Sequence, residues 1–460
     1  MEAIRSLKIS ISGVRGVVGE SLTPLLLTRF AQAFGTYLNS GLIVVGRDTR
    51  TSGEMVKNAV FSGLISSGCW VVDLDVVPVP TIQLMVERLQ ASGGLAITAS
   101  HNPAEWNALK FIRSDGIFLN SYQAEELLNI YHQGEFKKVK TPGLKKLKIE
   151  NKAVEVHIRS ILKHLDVDLI KSKKFKVALD CCNGAGSVMA PEFLKRLGCR
   201  VTSINTKPSG LFPHPPEPIP ENLGALCQKV TNCGAEIGFA QDADADRLAI
   251  VSEEGKPVGE ESTLALAVSF ILSKRRGKVV TNLSTSLIID ELACKYDCEV
   301  IRTKVGEVNV AERMKKEKAV IGGEGNGGVI LPEVHYARDS FVAMGLTLQY
   351  LAEKELRISQ LVKEFPSYRM VKKKVTCPSD KIQMIIKDLK ERYKRKRLDL
   401  TEGVKVLYPH SWVHIRPSNT EPIIRIIAEG KTKKEANKLC EDVLKRIETV
   451  HRSKKWEVKS

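Results

Sequence analysis

Apolar and polar residues alternate between strand-like and helix-like patterns from the beginning of the chain. Short apolar runs predict strands at 42–48, 70–77 and 95–100. Longer segments with helical spacing lie around 22–40, 53–67 and 81–91. Strands that alternate with helices in this way form a mixed or parallel sheet with helices packed on it. The pattern therefore predicts an α/β fold.

A similar phrase occurs three times along the chain. After a helical stretch, Gly or Asp is followed by Cys, one variable residue and Val in SGCWVVDLD (67–75), LGCRVTSIN (197–205) and YDCEVIRTK (296–304). This repetition predicts three copies of one α/β unit. It also gives Cys69, Cys199 and Cys298 a packing role between a helix and a strand, so we assign them no chemistry.

Breaks in the pattern divide the 460 residues into four units. Pro, Gly and Lys cluster near 140–150, a turn occupies 252–257, and a Lys-rich strand and a charged helix follow 364–368. The predicted domains are 1–150, 151–255, 256–366 and 367–460. The first three are the α/β repeats, and the last is a smaller α+β domain. A chain of this length can enclose a deep cleft between domains.

Composition narrows the class of protein. Lys and Arg number 70 against 53 Asp and Glu, a formal charge of +17 that attracts phosphate groups of any kind. The basic runs lack interleaved aromatic residues, which favours a solvated surface over the alternative of a nucleic-acid-binding protein. No apolar run approaches the ~20 residues of a membrane span, and the N-terminal residues show no apolar signal region. We expect a cytoplasmic protein with reduced cysteines and no membrane partner.

The segment GGLAITASHNPAEWNALKFI (93–112) passes from a strand into a polar turn. Ser100, His101 and Asn102 stand directly before Pro103, where side-chain oxygens often cap free backbone N–H groups. The same serine is a candidate nucleophile. Taken alone, the segment favours the cap and leaves the nucleophile open.

Three acidic residues alternate in AEIGFAQDADADRLAIV (235–251). In an extended loop Asp242, Asp244 and Asp246 face one way, and their charges repel unless a cation joins them. An EF-hand calcium loop shares the spacing, but Arg247 stands where its tight turn needs Gly, and RLAIV predicts a strand. The loop therefore predicts a Mg²⁺ site, with a solvated acidic turn as the alternative.

Two further loops carry groups suited to a phosphorylated sugar. HIRPSNTEPIIRI (414–426) contains the potential phosphate ligands Arg416, Ser418, Asn419, Thr420 and Arg425. A polar turn between strands explains the Ser, Asn and Thr residues but not both arginines.

GGEGNGGVI (322–330) lacks the placement of a dinucleotide fingerprint. Its functional side chains, Glu324 and Asn326, suit sugar hydroxyl groups, although a plain flexible turn explains the glycines equally well. SGVRG (12–16) and GRDTRTSG (46–53) place basic residues beside turns, and Arg15 and Lys110 are further candidates for contact with phosphate.

With these loops, the chain resembles the α-D-phosphohexomutase family over nearly its whole length. The family's phosphoserine, metal, sugar and phosphate loops are similar, in that order, to TASHNP (98–103), DADADR (242–247), GEGNGG (323–328) and RPSNTEP (416–422). Connecting segments such as ARDSFVAMG (337–345) also resemble family signatures. The resemblance implies an α/β fold of four domains around a central cleft, in which three similar mixed-sheet repeats precede a smaller C-terminal α+β domain.

The resemblance also implies a reaction. Ser100 would carry a transferable phosphoryl group, and Mg²⁺ would be held by Ser100, Asp242, Asp244 and Asp246. Donation to a phosphosugar makes a hexose 1,6-bisphosphate, which reorients and returns its other phosphoryl group, so that 6- and 1-phosphates interconvert. Catalytic roles would fall to Ser100, His101, Lys110, Arg247 and Arg15. Substrate would be bound by Glu324, Asn326, Lys304, Arg416, Ser418, Asn419, Thr420 and Arg425.

Three positions depart from the common family pattern. Asn326 and Gly328 stand where many members have Ser and His, and Ala108 stands where Gly is common. These changes bear on the sugar and not on the reaction type. We predict glucosamine 6-phosphate as the substrate, with a phosphomannomutase/phosphoglucomutase as the alternative. A phosphatase that hydrolyses its own phosphoserine is an alternative from another class.

Overall fold

A mixed seven-stranded sheet organises the first part of the computed structural model, which describes residues 7–10, 13–418 and 423–452. Its strands are β1 (Lys8–Ser10), β2 (Gly13–Val17), β3 (Gly41–Arg47), β4 (Cys69–Val76), β5 (Gly93–Ile97), β6 (Trp106–Arg113) and β7 (Leu147–Ile149). They lie in the order β1-β2-β6-β5-β3-β4-β7. The helices of this part are Pro24–Tyr37, Gly53–Ser66, Val79–Arg88 and Ser121–Gln133.

Two four-stranded sheets follow. The second sheet has the order β11-β10-β8-β9 and consists of β8 (Lys176–Asp180), β9 (Arg200–Ile204), β10 (Ile237–Gln241) and β11 (Leu248–Ser252). The third has the order β13-β12-β14-β15 and consists of β12 (Val279–Asn282), β13 (Val300–Thr303), β14 (Ile321–Glu324) and β15 (Gly328–Ile330).

The three sheets share one arrangement of four strands. A central strand (β3, β8 or β12) pairs in parallel with the next two strands of its unit, one on each side. The fourth strand (β6, β11 or β15) returns antiparallel to the third. Cys69, Cys199 and Cys298 lie at, or within two residues before, the start of the second strand of each unit. The predicted threefold repeat is confirmed.

The C-terminal part is an α+β unit, as predicted, in which two helices pack on a five-stranded antiparallel sheet. Its order is β16-β20-β19-β18-β17, formed by β16 (Arg369–Thr376), β17 (Arg397–Asp399), β18 (Val404–Leu407), β19 (Trp412–Pro417) and β20 (Ile423–Gly430). Helices Ser379–Tyr393 and Lys433–Arg452 pack on it, and Leu389, Ile426 and Val443 share their core. Strands β19 and β20 thereby belong to a separate core from the strands that carry the other functional loops.

The second and third sheets share one hydrophobic core. Helices Glu260–Lys274 and Ser340–Lys354 pack against each other, and Leu264 and Phe341 belong to the same buried cluster as Phe193 of the second unit. The remaining α-helices are Ala153–Leu162, Val167–Lys173, Ala190–Arg196, Gly224–Cys233, Ile288–Lys295, Glu307–Glu317 and Ile358–Lys363, with short 3-10 turns at Thr141–Gly143, Ala185–Val188 and Pro220–Asn222. This shared core fixes the loops of the two sheets relative to each other.

Observed elements lie close to the predicted ones. The strand predicted at 95–100 ends at Ile97, because the Thr98 hydroxyl turns to donate a 2.6 Å hydrogen bond to Asp48. The predicted strand RLAIV is β11, which agrees with rejection of an EF-hand. The four domain limits stay a prediction. Among the described residues, no helix has the length and apolar character needed to cross a membrane.

Candidate active site

Four loops surround one cleft of about 460 Å³. Three of them join the third and fourth strands of the repeated units, and the fourth is the β19–β20 connection, where Arg416 of β19, Ser418 and Arg425 of β20 line the cleft. The sequence-predicted residues that line the cleft are Arg15, His101, Arg247, Glu324, Asn326, Arg416, Ser418 and Arg425. The common topology therefore brings together chemistry that lies more than 300 residues apart in the chain.

Ser100 lies between acidic and basic groups in the β5–β6 loop. The residue is buried and has a left-handed backbone, with φ of +50°. Its Oγ lies 3.4 Å from Asp242 Oδ2, from Arg247 Nη2 and from His101 Nδ1. These side-chain contacts favour the chemical alternative for Ser100 over the cap.

Arg50 fixes the loop that carries Ser100. Its guanidinium is buried, and its Nε–H donates to Asp48 Oδ2 at 3.1 Å. The other four N–H groups donate to the carbonyl oxygens of Ser100, Asn102, Pro103 and Trp106 at 2.5 to 2.9 Å. All five guanidinium donors are thus used on protein acceptors. The sequence placed Arg50 beside a turn but gave no sign that its partners are carbonyl groups.

Asp242, Asp244 and Asp246 converge as predicted. The three residues are buried, and a carboxylate oxygen from each lies within 4.8 Å of the others. Burial, together with the charges of Asp246 and Asp244, raises the pKa of Asp242 well above its usual value. Asp244 Oδ1 and Asp246 Oδ1 are buried and receive no hydrogen bond from the described residues. Unsatisfied oxygens on clustered carboxylates fit a small divalent cation such as Mg²⁺.

Each aspartate also has a cationic neighbour. Lys110 Nζ lies 2.8 Å from Asp244 Oδ2, and Arg247 Nε lies 3.3 Å from Asp242 Oδ2. Arg338 Nη2 lies 2.5 Å from Asp246 Oδ2. Burial acts to lower the pKa of Lys110, but Asp244 and then Asp246 outweigh it, so the pKa is raised and the ammonium stays charged.

His101 is held by Arg247. Arg247 Nη2 donates to His101 Nδ1 at 2.6 Å, a geometry that places the single ring proton on Nε2. Burial, followed by the charge of Arg247, lowers the pKa of His101 to about 2. The imidazole is therefore neutral and serves as a hydrogen-bond partner of Arg247.

Arg338 joins the metal loop to the predicted sugar loop. Besides Asp246, its guanidinium binds Glu324 Oε2 at 2.7 Å and Glu307 Oε2 at 3.2 Å. A Cβ atom on Gly328 would stand 2.3 Å from Arg338 Cδ, so glycine leaves room for this side chain. A lone Arg before Asp in ARDSFVAMG carries no local signal of this role, which explains why sequence reasoning missed Arg338.

Two arginines face each other across the β19–β20 ladder. Arg416 and Arg425 are directly paired, an arrangement of like charges that an anion relieves. Arg416 Nη1 lies 3.4 Å from Glu402 Oε1, while its buried Nε has no acceptor among the described residues. Burial, with Arg425 adding, lowers the pKa of Arg416 against the opposing effect of Glu402. This pair is suited to a phosphate group.

The remaining predicted residues are Arg15, Lys304, Asn419 and Thr420. Arg15 Nη1 donates to Asn102 Oδ1 at 3.3 Å from β2. Lys304 is exposed directly after β13, next to Val305 and Gly306, which line the cleft. Asn419 and Thr420 lie outside the described residues.

Family models match the chain as four consecutive parts. They are described as phosphoglucomutase/phosphomannomutase alpha/beta/alpha domains I, II and III, at residues 7–138, 155–255 and 259–368, and the C-terminal domain at 370–446. Together they span most of the 460 residues.

Curated relatives match over nearly their full length. The chain is 37% identical to a phosphoglucomutase/phosphomannomutase of Thermococcus kodakarensis, covering 95% of this chain and 97% of the relative. It is 39% identical to a probable phosphoglucosamine mutase of Methanopyrus kandleri, covering 94% and 95%.

Solved structures share the fold. A phosphoglucomutase/phosphomannomutase family protein from Burkholderia thailandensis aligns with a TM-score of 0.85 at 22% identity over 99% of both chains. Two structures of N-acetylphosphoglucosamine mutase from Aspergillus fumigatus each align with a TM-score of 0.56 at 15% identity, over 97% and 96% of this chain and 95% of theirs. The first was solved with glucose 1,6-bisphosphate and the second with GlcNAc-6P and magnesium. By its four domains and its relatives, the chain belongs to the phosphoglucomutase/phosphomannomutase family.

Proposed function

We propose that this chain is a hexose phosphate mutase that interconverts the 6- and 1-phosphates of glucosamine. One observation carries the proposal: a buried serine hydroxyl beside three clustered carboxylates contacts Arg247 and His101, and these two residues line the same cleft as the facing pair Arg416 and Arg425. A phosphoryl carrier, a cation site and a fixed phosphate clamp are the parts that transfer within a phosphosugar needs.

Ser100 is the proposed phosphoryl carrier. Its phosphoester O–P bond breaks as an O–P bond forms to the free hydroxyl of the phosphosugar, which gives a hexose 1,6-bisphosphate. After reorientation the other phosphoryl group returns to Ser100, and the isomeric monophosphate leaves. Arg50 supports both transfers because it fixes the backbone carbonyl groups of the serine and of the residues that follow it.

Cationic side chains are proposed to bind the phosphoryl oxygens during transfer. Arg247 lies 3.4 Å from Ser100 Oγ, and Lys110 is held charged by Asp244 nearby. Arg15 contacts the Ser100 loop by a hydrogen bond to Asn102. His101 orients Arg247 through its Nδ1 acceptor. Positive charge placed in advance is the main way in which proteins stabilise a transferring phosphoryl group.

Ser100, Asp242, Asp244 and Asp246 are the proposed ligands of Mg²⁺, with the unsatisfied oxygens of Asp244 and Asp246 as the supporting observation. When bound, the ion supplies positive charge that offsets the negative charge on the phosphoryl oxygens. The solved Aspergillus fumigatus mutase that contains magnesium supports this choice of ion.

Arg416, Ser418 and Arg425 are the proposed clamp for the phosphate that is not transferred, with Asn419 and Thr420 added from the sequence. Glu324, Asn326 and Lys304 are proposed to contact the sugar. Relatives named for glucosamine and for glucose or mannose phosphates both match at similar identity, so a phosphomannomutase/phosphoglucomutase is the second candidate. The cytoplasmic location and the absence of a nucleic-acid partner stay predictions.

Product analysis tests the function. Purified protein with Mg²⁺ and a trace of hexose 1,6-bisphosphate is incubated with the 6-phosphates of glucosamine, glucose and mannose, and the 1-phosphates are measured. We expect isomerisation without net release of inorganic phosphate, and highest kcat/KM for glucosamine 6-phosphate. Phosphate release in excess of isomer would support the phosphatase alternative. Equal or higher kcat/KM for glucose or mannose phosphate would overturn the sugar assignment but leave the mutase.

The carrier role of Ser100 is tested in the same assay. Intact-mass and peptide analysis should find phosphate on Ser100, and Ser100→Ala should abolish the phosphoserine and nearly all turnover. Ser172→Ala is the control, because Ser172 is exposed on helix Val167–Lys173 and its hydroxyl donates to a local carbonyl oxygen. Full activity in Ser100→Ala would contradict the mechanism.

A further inference from the structure

A second carboxylate reaches the cleft beside the sugar loop. Glu261 lies in the first turn of helix Glu260–Lys274, is partly buried and lines the cleft. Its Oε2 accepts a 3.0 Å hydrogen bond from the Ser286 N–H. A Cβ atom on Gly325 would stand 2.0 and 2.2 Å from the two carboxylate oxygens. Glycine at position 325 is therefore what lets Glu261 contact the loop.

Glu261 has no cationic partner in the described part of the chain. Lys372 of β16, whose charge acts on Glu261, is paired with Glu260 at 2.6 Å. Burial raises the pKa of Glu261 to about 8, and the charges of Glu429 and Glu260 add to it while Lys372 and the Ser286 N–H oppose it. A carboxylate that lines a cleft and has no cationic partner in the protein is stabilised by a cationic ligand.

Glu324, the acidic residue of the predicted sugar loop itself, does have a cationic partner. Its Oε1 accepts hydrogen bonds from Asn282 Nδ2 at 2.8 Å and from the Gly306 N–H at 2.9 Å. Its Oε2 binds the Arg338 guanidinium at 2.7 Å. Glu324 is already neutralised by the protein, so a positively charged ligand gains less from it than from Glu261.

Asn326 adds a further acceptor next to Gly325. Its Oδ1 is buried and receives no hydrogen bond from the described residues, although the residue lines the same cleft. A carboxylate with one backbone donor and an amide oxygen with no donor among the described residues thus belong to the lining of the same cleft. An ammonium group offers three donors and a positive charge, whereas a sugar hydroxyl offers one donor and no charge.

We propose that Glu261, together with the amide oxygen of Asn326, binds the ammonium group of an amino-sugar phosphate and selects this substrate over neutral hexose phosphates. The inference rests on the proposed mutase function. Glu261 is a specificity residue in this scheme: it contacts the substrate away from the phosphoryl group that is transferred.

The ratio of kcat/KM for glucosamine 6-phosphate to that for glucose 6-phosphate tests the inference. Glu261→Gln keeps the size of the side chain and an acceptor for the Ser286 N–H but removes the charge. We expect the ratio to fall about tenfold or more, as for loss of a charged hydrogen bond, with kcat/KM for glucose 6-phosphate changed less than threefold. Glu260→Gln removes the same charge one residue away, where Lys372 is the partner, and should leave the ratio unchanged.

Calorimetry on the wild-type protein gives a readout that needs no variant. At pH 6.5 the Glu261 carboxyl is protonated, and contact with an ammonium group should expel its proton. Titrations in buffers of different ionisation enthalpy should therefore show more protons released with glucosamine 6-phosphate than with glucose 6-phosphate. The excess should disappear in Glu261→Gln and persist in Glu260→Gln.

The outcomes separate the two proposals. No turnover of any hexose phosphate by the wild type would overturn the mutase function and, with it, this inference. Turnover with no preference for the amino sugar would overturn the inference alone. A preference that survives in Glu261→Gln, or equal loss of activity on both sugars, would also overturn it and would return the role to Glu324.

Discussion

The Arg50 guanidinium donates a 2.6 Å hydrogen bond to the carbonyl oxygen of Ser100, the residue whose backbone is held at φ of +50°. A left-handed serine costs on the order of 1 kcal/mol or more and persists only where neighbouring groups fix it. Arg50 does so with all five of its donors, four of them on the carbonyl groups of one loop. The conformation that exposes the Ser100 hydroxyl to Asp242 and Arg247 thus depends on a buried residue that is not among those lining the cleft.

Replacement of Arg50 by Lys should therefore reduce both stability and turnover. Lysine offers three donors where five acceptors are present, and each buried acceptor left unpaired costs about 1–3 kcal/mol. We expect the free energy of unfolding to fall by about 3 kcal/mol and kcat to fall about a hundredfold, because the serine is displaced. Urea unfolding and initial rates measure the two effects.

Arg47→Lys is the matched control for Arg50→Lys. Arg47 belongs to the same segment, but its partners Glu54 and Asp75 are more than half exposed. The substitution should change the unfolding free energy by less than ~1 kcal/mol and leave kcat unchanged. Equal effects of the two substitutions would show that Arg50 has no special part in fixing the loop.

The fold and the principal chemistry were predictable from local patterns. The threefold repeat was predictable because each unit enters its second strand through the same Cys-containing phrase, and the metal site because three like charges alternate in one loop. The loop is a turn, with Ala245 at φ of +58°, and not the extended segment that the sequence predicts. Arg50, Arg338 and Glu261 were not predictable in this way. Arg50 has a local partner in Asp48, but its four carbonyl acceptors lie 50 to 56 residues away, and Arg338 is 92 residues from Asp246. A single charged residue gives no signal of the distant groups that it will contact.

Removal of the metal should abolish turnover while the fold remains. The three aspartates retain Lys110, Arg247 and Arg338 as partners, so the apoprotein keeps charge balance in its interior. Asp244→Asn replaces one of the three proposed carboxylate ligands by a neutral amide. It should therefore weaken Mg²⁺ or Mn²⁺ binding by at least tenfold and reduce kcat by about a hundredfold. Titration calorimetry and rates after chelation measure both.

Asp297→Asn serves as the comparison for Asp244→Asn. Asp297 is largely exposed, and Arg276 at 3.4 Å is its ion-pair partner among the described residues. Neither metal affinity nor kcat should change. Undiminished activity of the chelated wild type, with no metal bound, would refute the proposed metal site.

Glu261 should make stability depend on pH. Its folded pKa of about 8 exceeds the value of 4.5 expected in the unfolded chain, so below pH 4.5 both states are protonated and the residue has no effect. Between pH 4.5 and 8 the unfolded state ionises first, and the native state loses stability as the pH rises. Glu261→Gln should therefore be more stable than the wild type by an amount that grows over this range, to roughly 4 kcal/mol at pH 8.

Urea unfolding at pH 5, 6.5 and 8 measures this difference. Glu260→Gln should show no such growth, because Lys372 compensates the Glu260 charge in the native state. A stability difference for Glu261→Gln that is constant with pH would mean that the carboxyl is ionised in the folded protein. A gain in stability on removal of Glu261, together with a loss of amino-sugar preference, is the combination expected of a residue retained for binding.

Arg416→Ala should weaken substrate binding more than it affects turnover or folding. Arg416 faces Arg425 across the β19–β20 ladder, so its removal relieves a repulsion of about 0.2–1 kcal/mol while it deprives Glu402 of a neighbour at 3.4 Å. The two effects nearly cancel, and the unfolding free energy should change by less than ~1 kcal/mol. A phosphate in the cleft would lose a charge-assisted hydrogen bond worth about 1.5–3 kcal/mol, so KM should rise about ten- to a hundredfold.

Inorganic phosphate should raise the thermal midpoint of the wild type and raise that of Arg416→Ala much less, by ligand linkage. Arg369→Ala, an exposed arginine on β16 of the same sheet, should leave KM and the phosphate effect unchanged. An unaltered KM in Arg416→Ala would place the phosphate outside the pair that Arg416 forms with Arg425.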